Sequence, residues 1–145
     1  MSKSVLVTGA SGHVGGALVR ELVENGYHVR ASVRDPMDAA KTDALKKLQA
    51  EVVKADLFDP ASMDAACTGM DGVFQVAAIY DLAPSDAVQA RIMTETGTLG
   101  MANVLNAAKK AGVGRIVLTS SVVTIAPVAP GQPAASEDSW VSDTS

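Results

Sequence analysis

A chain of 145 residues, 48% apolar and 19% charged, has a soluble globular composition and the length of a single domain with a real core. Its net charge of −4 and isoelectric point near 5.0 argue against nucleic acid as the main partner. No apolar run approaches a membrane span, Met1-Ser2-Lys3-Ser4 leads straight into a strand without room for a signal peptide, and Cys67 is alone, so a reducing cytoplasm is the expected setting.

The first element is a short buried strand over Val5-Leu6-Val7-Thr8, apolar or β-branched throughout. The apolar spacing then changes to one helix face, Val14, Ala17, Leu18 and Leu22, with Asn25-Gly26 as a left-handed stop. Residues 27–33 read as a second strand, broken by Asp35-Pro36. Residues 41–48 form a short amphipathic helix with Ala44, Leu45 and Leu48 on one side, and residues 52–55 a third strand. Asp59-Pro60 is an N-cap with a first-turn proline, opening a helix through Met63 and Cys67. Residues 72–78 are a fourth strand. A long helical pattern follows over residues 85–111, with Val88, Ile92, Leu99 and Leu105 among its apolar positions. Gly97 and Gly100 interrupt it at ~1 kcal/mol each against alanine, which makes sense if something packs closely there. Gly112 closes that helix and residues 115–119 are a fifth strand. Residues 126–145, with Pro127, Pro130, Gly131 and Pro133, read as an irregular loop. Strand and helix alternate five times, so residues 1–125 are expected to form an α/β domain with a parallel sheet wound on both faces.

Gly9, Gly12 and Gly15 sit where the first strand turns into the first helix, and that context gives them meaning. Gly9 would allow a tight turn, Gly12 would let a pyrophosphate approach the backbone, and Gly15 would let helix and strand pack closely. Backbone N–H groups at the helix start, around Ser11, His13 and Val14, would face the phosphates. The plainer reading of three glycines in this spacing is a flexible turn. The pattern Thr8-Gly-x-x-Gly-x-x-Gly, with a strand before it and a helix after it, resembles the short-chain dehydrogenase/reductase superfamily. Further segments resemble its extended, dihydroflavonol-reductase-like members in the NAD-dependent epimerase/dehydratase family. The resemblance implies a Rossmann-like fold with strand order 3-2-1-4-5, truncated before the later strands and the substrate domain.

The run Ser32-Val33-Arg34-Asp35-Pro36 is similar to the segment by which those reductases read the adenosine ribose. The acidic position of NAD-binding members falls on Val33, and Arg34 follows it, which implies recognition of a 2′-phosphate and NADP(H) over NAD(H). Asp35 is the rival as a ribose acid, and a solvated Arg34–Asp35 pair in a turn is the bland alternative. In the family, the aspartate at Asp56 holds the adenine amino group and the residue at Leu57 packs near the ring; a turn-capping Asp56 is the simpler option. Val73-Phe74-Gln75-Val76-Ala77-Ala78 resembles the fourth-strand segment of these enzymes, with Ala77 and Ala78 leaving space beside the cofactor and Gln75 replacing a frequent histidine. Tyr80 just beyond could touch substrate. Asn103 matches a helical asparagine that can bond across the active site through backbone and water, although such residues often face solvent. Thr119-Ser120-Ser121 ends the fifth strand, where open α/β sheets bind ligands. By register Ser121 matches the catalytic serine that hydrogen-bonds the substrate carbonyl, with Thr119 and Ser120 lining the nicotinamide; three hydroxyls merely ending a strand are the alternative.

Glu137-Asp138-Ser139-Trp140 resembles the Glu-x-x-Trp segment that precedes the catalytic helix of these reductases. The next family element supplies Tyr-x-x-x-Lys, expected beyond Ser145, and neither Tyr27 nor Tyr80 has a lysine four residues later. Residues 126–145 are therefore expected to lead toward a catalytic helix that this sequence lacks. The reading is the NADP(H)-binding part of an oxidoreductase passing hydride between nicotinamide and a ketone or aldehyde, with no metal. By itself the chain is expected to be inactive and to self-associate or dimerise. A nucleotide-sensing or regulatory protein that has lost the Tyr/Lys pair, and a truncated inactive remnant, are the alternatives.

Overall fold

The computed structural model describes residues 3–79 and 85–141. Five strands form one parallel sheet: β1 (Ser4–Val7), β2 (His28–Val33), β3 (Glu51–Lys54), β4 (Gly72–Gln75) and β5 (Arg115–Leu118), in the order β3-β2-β1-β4-β5. The fold is thus the expected Rossmann-like, doubly wound one. The helices are α1 (His13–Glu24), α2 (Ala39–Lys47), α3 (Pro60–Cys67), α4 (Ala87–Glu95) and α5 (Met101–Lys110), with a π-helical turn over Thr96–Gly100 joining the last two.

Alternation along β1 divides the core between two layers. Val5 and Val7 point to one face, where Val19 and Leu22 of α1 and Leu45 of α2 meet Val29, Ala31 and Val33 of β2. Leu6 points to the other, against Met63 and Cys67 of α3 and Val104, Ala107 and Ala108 of α5. Both sides of a parallel sheet must be covered, and near-continuous apolar strands with two helices on each face achieve that.

Local signals are where the sequence puts them. Asn25 caps α1 and Gly26 takes the left-handed conformation at φ 81°. The Asp59 carboxylate accepts from the N–H groups of Ala61 and Ser62, with Pro60 in the first turn of α3.

Three expectations need correction. β4 ends at Gln75 instead of continuing to 78, because Thr8 Oγ1 accepts the N–H groups of Val76 and Ala77 and takes them out of the ladder. The long helical pattern is interrupted by the π-helical turn, and the residues it buries are Thr96, Gly100, Val104, Ala107 and Ala108; Val88, Ile92, Leu99 and Leu105 are exposed. After β5, a 3₁₀ turn at Val122–Thr124 leads into the loop, which closes on itself through an antiparallel bridge between Ile125 and Trp140. Among the described residues no helix is long and apolar enough to cross a membrane.

Candidate functional site

The chain leaves β1 for β2 and β3 on one side and returns to β4 on the other, so strand order reverses beside β1. Crevices at the carboxyl ends of strands form at such a reversal. A cleft of about 670 Å³ lies there, walled by the ends of β1 through β4.

Its floor is the turn from β1 into α1. Gly9 has φ 64°, and a Cβ on it would sit 2.8 Å from Ala77 Cα, so this position needs both a left-handed backbone and a bare Cα. A Cβ on Gly15 would stand 2.2 Å from Gly9 O, which fixes how closely α1 docks on the loop. Gly12 is the N-cap of α1 and makes no side-chain cap, so the first-turn N–H groups carry the helix dipole's positive end into the cleft uncovered by protein side chains. Ser11, His13 and Val14 complete this stretch, all exposed and all on the cleft wall. A cradle of bare backbone and unsatisfied N–H groups is what a pyrophosphate requires, and the residues present fit a dinucleotide.

At the end of β2, Val33 is buried while Arg34 is exposed and faces the cleft. Asp35 is not part of the wall; its Oδ1 accepts the Met37 N–H at 2.9 Å and caps the turn. The end of β3 contributes Asp56, Leu57 and Phe58. Asp56 is held locally, its N–H donating to Ser62 Oγ at 3.0 Å and its Oδ1 accepting the Phe58 N–H at 2.9 Å. Ala77 and Ala78 follow β4 along the same wall. Thr8 anchors them: besides accepting the two N–H groups, its hydroxyl donates to Gln75 Oε1 at 2.6 Å, and Gln75 Nε2 donates to Ala77 O at 2.8 Å.

The cleft wall does not include Thr119, Ser120 or Ser121, which lie one strand further along at the same carboxyl edge. Thr119 N–H extends the ladder to Gln75 O, and Ser121 O accepts the Thr124 hydroxyl. The Asn103 side chain is used within the adenine-side wall, its Nδ2 donating to Leu57 O at 2.7 Å. Tyr80 lies outside the described residues. Sequence reasoning missed Phe58 and Thr96 as wall residues. Phe58 carries a weak signal, an aromatic directly after Asp56-Leu57 at a strand end, whereas Thr96 is brought in by the π-helical turn, which leaves no periodic trace.

The comparisons agree with this geometry. Residues 9–143 match a family model described as NAD(P)H-binding. A dihydroflavonol 4-reductase of Zea mays is 41% identical over 143 residues, covering 94% of this chain and 40% of the reductase. Cinnamoyl-CoA reductase 1 of Oryza sativa subsp. japonica is 40% identical over 121 residues, 81% of this chain and 34% of its own. Vestitone reductase from alfalfa (Medicago sativa) superposes with a TM-score of 0.65 at 29% identity, over 86% of this chain and 38% of that one. A short-chain dehydrogenase/reductase superfamily protein from Agrobacterium tumefaciens, solved with bound NAD, gives 0.68 at 30% identity, over 83% and 33%. The chain spans about two fifths of the length of the dihydroflavonol 4-reductase and about a third of that of the cinnamoyl-CoA reductase. With its Rossmann-like sheet and glycine cradle, it belongs to the NAD(P)H-binding family, among relatives of the dihydroflavonol-reductase-like, extended short-chain dehydrogenases/reductases.

Proposed function

We propose that this chain is the NADP(H)-binding part of an oxidoreductase that transfers hydride between nicotinamide and a ketone or aldehyde. The observation that carries the cofactor preference is the end of β2, where Arg34 faces the cleft, Val33 is buried and Asp35 is spent on its own turn. A guanidinium beside the ribose site pairs with a 2′-phosphate, and no carboxylate competes for the hydroxyl that NAD(H) would present. Gly12 and the first turn of α1 receive the pyrophosphate, while Asp56 and Leu57 take the adenine.

The bound dinucleotide supplies or accepts the hydride. The chain's own part would be to orient it: the cradle would hold the phosphates, and the Thr8–Gln75–Ala77 network keeps the neighbouring wall in place. Ser121, with Thr119 and Ser120 beside it, would hydrogen-bond the carbonyl at the carboxyl edge of the sheet. No tyrosine among the 145 residues is followed four positions later by lysine, so no such pair within them protonates the carbonyl oxygen. Dihydroflavonol 4-reductases and cinnamoyl-CoA reductases among the relatives point to a small-molecule carbonyl compound as the substrate class.

The test is a fluorescence titration of NADPH and NADH against the wild type and Arg34→Ala. A charge-assisted contact is worth ~1.5–3 kcal/mol, so the substitution should weaken NADPH roughly ten- to a hundredfold and leave NADH unchanged. Equal losses for both cofactors would sink the phosphate-reading role.

A further inference from the structure

We propose that Asn103 is a positioning residue for recognition of the adenine amino group, acting from α5 through the peptide of Leu57. The proposal rests on the dinucleotide reading above and concerns how one wall of that cleft is kept in register.

The segment Asp56-Leu57-Phe58 follows β3 as irregular chain, and its local hydrogen bonds tie it only to α3's first turn and to itself. The bond from Asn103 Nδ2 to Leu57 O, at 2.7 Å, reaches it from a different element, 46 residues away in sequence. The same element grips the Leu57 side chain. A Cβ placed on Gly100 would lie 3.1 Å from Leu57 Cβ and 3.4 Å from its Cδ1, so the leucine is seated on bare backbone. Gly100 and Asn103 are three residues apart, one above the other on one helix face. Together they hold Leu57 by carbonyl and by side chain.

The π-helical turn Thr96–Gly100 explains why both are in place. Inserting a wider turn rotates the face of the following helix, and such turns recur at functional sites. Here Thr96, at the start of the turn, lines the cleft wall, while Gly100 at its end and Asn103 just beyond it meet the loop. The Asp56 carboxylate has one oxygen committed to the Phe58 N–H, and its orientation depends on the adjoining Leu57 peptide being fixed. Loss of the Asn103 amide frees that peptide, and the second carboxylate oxygen loses its fixed aim at an exocyclic amine.

Discrimination between NADPH and its hypoxanthine analogue, which carries an oxo group where adenine has the amine, isolates this effect from general stability. Calorimetric titration of the 145-residue chain should show wild type preferring NADPH by roughly ten- to a hundredfold, the worth of a hydrogen bond to a charged group. Asn103→Leu should lower that ratio toward one by weakening NADPH alone. Asn103→Asp, which keeps the shape and replaces the donating nitrogen with an oxygen, should do the same and decides the matter if Asn103→Leu does not fold. A ratio unchanged in the folded variant, or a wild-type ratio already near one, overturns the role of Asn103 while leaving the cofactor assignment standing. Failure of the wild type to bind either dinucleotide overturns both.

Discussion

The hydroxyl of Thr8 is used three times: it donates to Gln75 Oε1 and accepts the N–H groups of Val76 and Ala77. One donor and two acceptor sites are all a hydroxyl has, so the group is saturated in a buried position. Thr8→Val keeps the shape and leaves an amide oxygen and two N–H groups without their partner. Unsatisfied buried groups cost ~1–3 kcal/mol each, and with partial relaxation the variant should lose about 2–4 kcal/mol in urea unfolding. Thr8→Ser, which restores the hydroxyl, should recover most of it; a Thr8→Val variant as stable as wild type would refute the network's importance. A second contrast separates two adjacent glycines of α1. A Cβ on Gly15 meets Gly9 O at 2.2 Å, whereas one on Gly16 meets Ala10 O at 3.5 Å, an ordinary contact. Gly15→Ala should therefore shift the cradle and abolish NADPH binding. Gly16→Ala should leave binding intact and raise stability by ~0.4–1 kcal/mol through the unfolded chain's lost freedom. Thermal unfolding with and without NADPH reads both, and equal behaviour of the two variants would contradict the packing argument.

Elements bounded by local chemistry were legible in the sequence, and those shaped by distant contacts were not. Asn25-Gly26 and Asp59-Pro60 act through their own backbone angles and nearest N–H groups, so their meaning is carried by neighbouring residues. The glycine turn was equally readable, since its strand before and helix after are adjacent in sequence. The sequence pattern makes β4 too long because what ends it is the hydroxyl of Thr8, just past β1. The buried face of residues 87–110 was misread because a 3.6-residue period does not continue through a π-helical turn, so Val88 and Ile92 say nothing about the face that Val104 and Ala107 bury. Asp59→Ala tests one legible signal: loss of that cap should cost ~1 kcal/mol of stability, and no change would demote it. The α3 end also yields a pH dependence. Burial, with a smaller contribution from Asp64, pushes the Cys67 thiol from 9.0 up to about 11. The folded state then binds this proton more tightly than the unfolded chain, so its stability contribution is complete below about pH 9 and is lost as pH rises toward 11. Cys67→Ala should flatten that part of the stability curve, and Cys67 should resist iodoacetamide at pH 8 until the chain is unfolded. Fast alkylation of the native protein would show that the thiol is neither buried nor raised.

At the scale of the whole molecule the two sheet edges differ in character. β3 ends one side with Glu51, ion-paired to Arg30, and an exposed Lys54, charges that discourage strand addition. β5 ends the other with Arg115 followed by Ile116, Val117 and Leu118; Val117 is 44% and Leu118 53% exposed. In the segment that follows β5, Trp140 is 62% and Val122 83% exposed, and α4 has no buried residue at all, leaving Val88 and Ile92 exposed. An apolar edge strand with open hydrogen-bonding groups, next to uncovered apolar side chains, is a surface that promotes association. The 145-residue chain should therefore self-associate through the β5 side, its sedimentation-velocity mass rising with concentration. Val117→Lys, at a position outside the cleft wall, should suppress association and leave NADPH affinity unchanged. Lys54→Glu, on the already charged edge, should change neither. A wild-type chain that stays monomeric at every concentration would show that the exposed β5 face is tolerated in water. Undiminished association of Val117→Lys would instead move the contact to the exposed side of α4, where Ile92→Lys becomes the deciding variant.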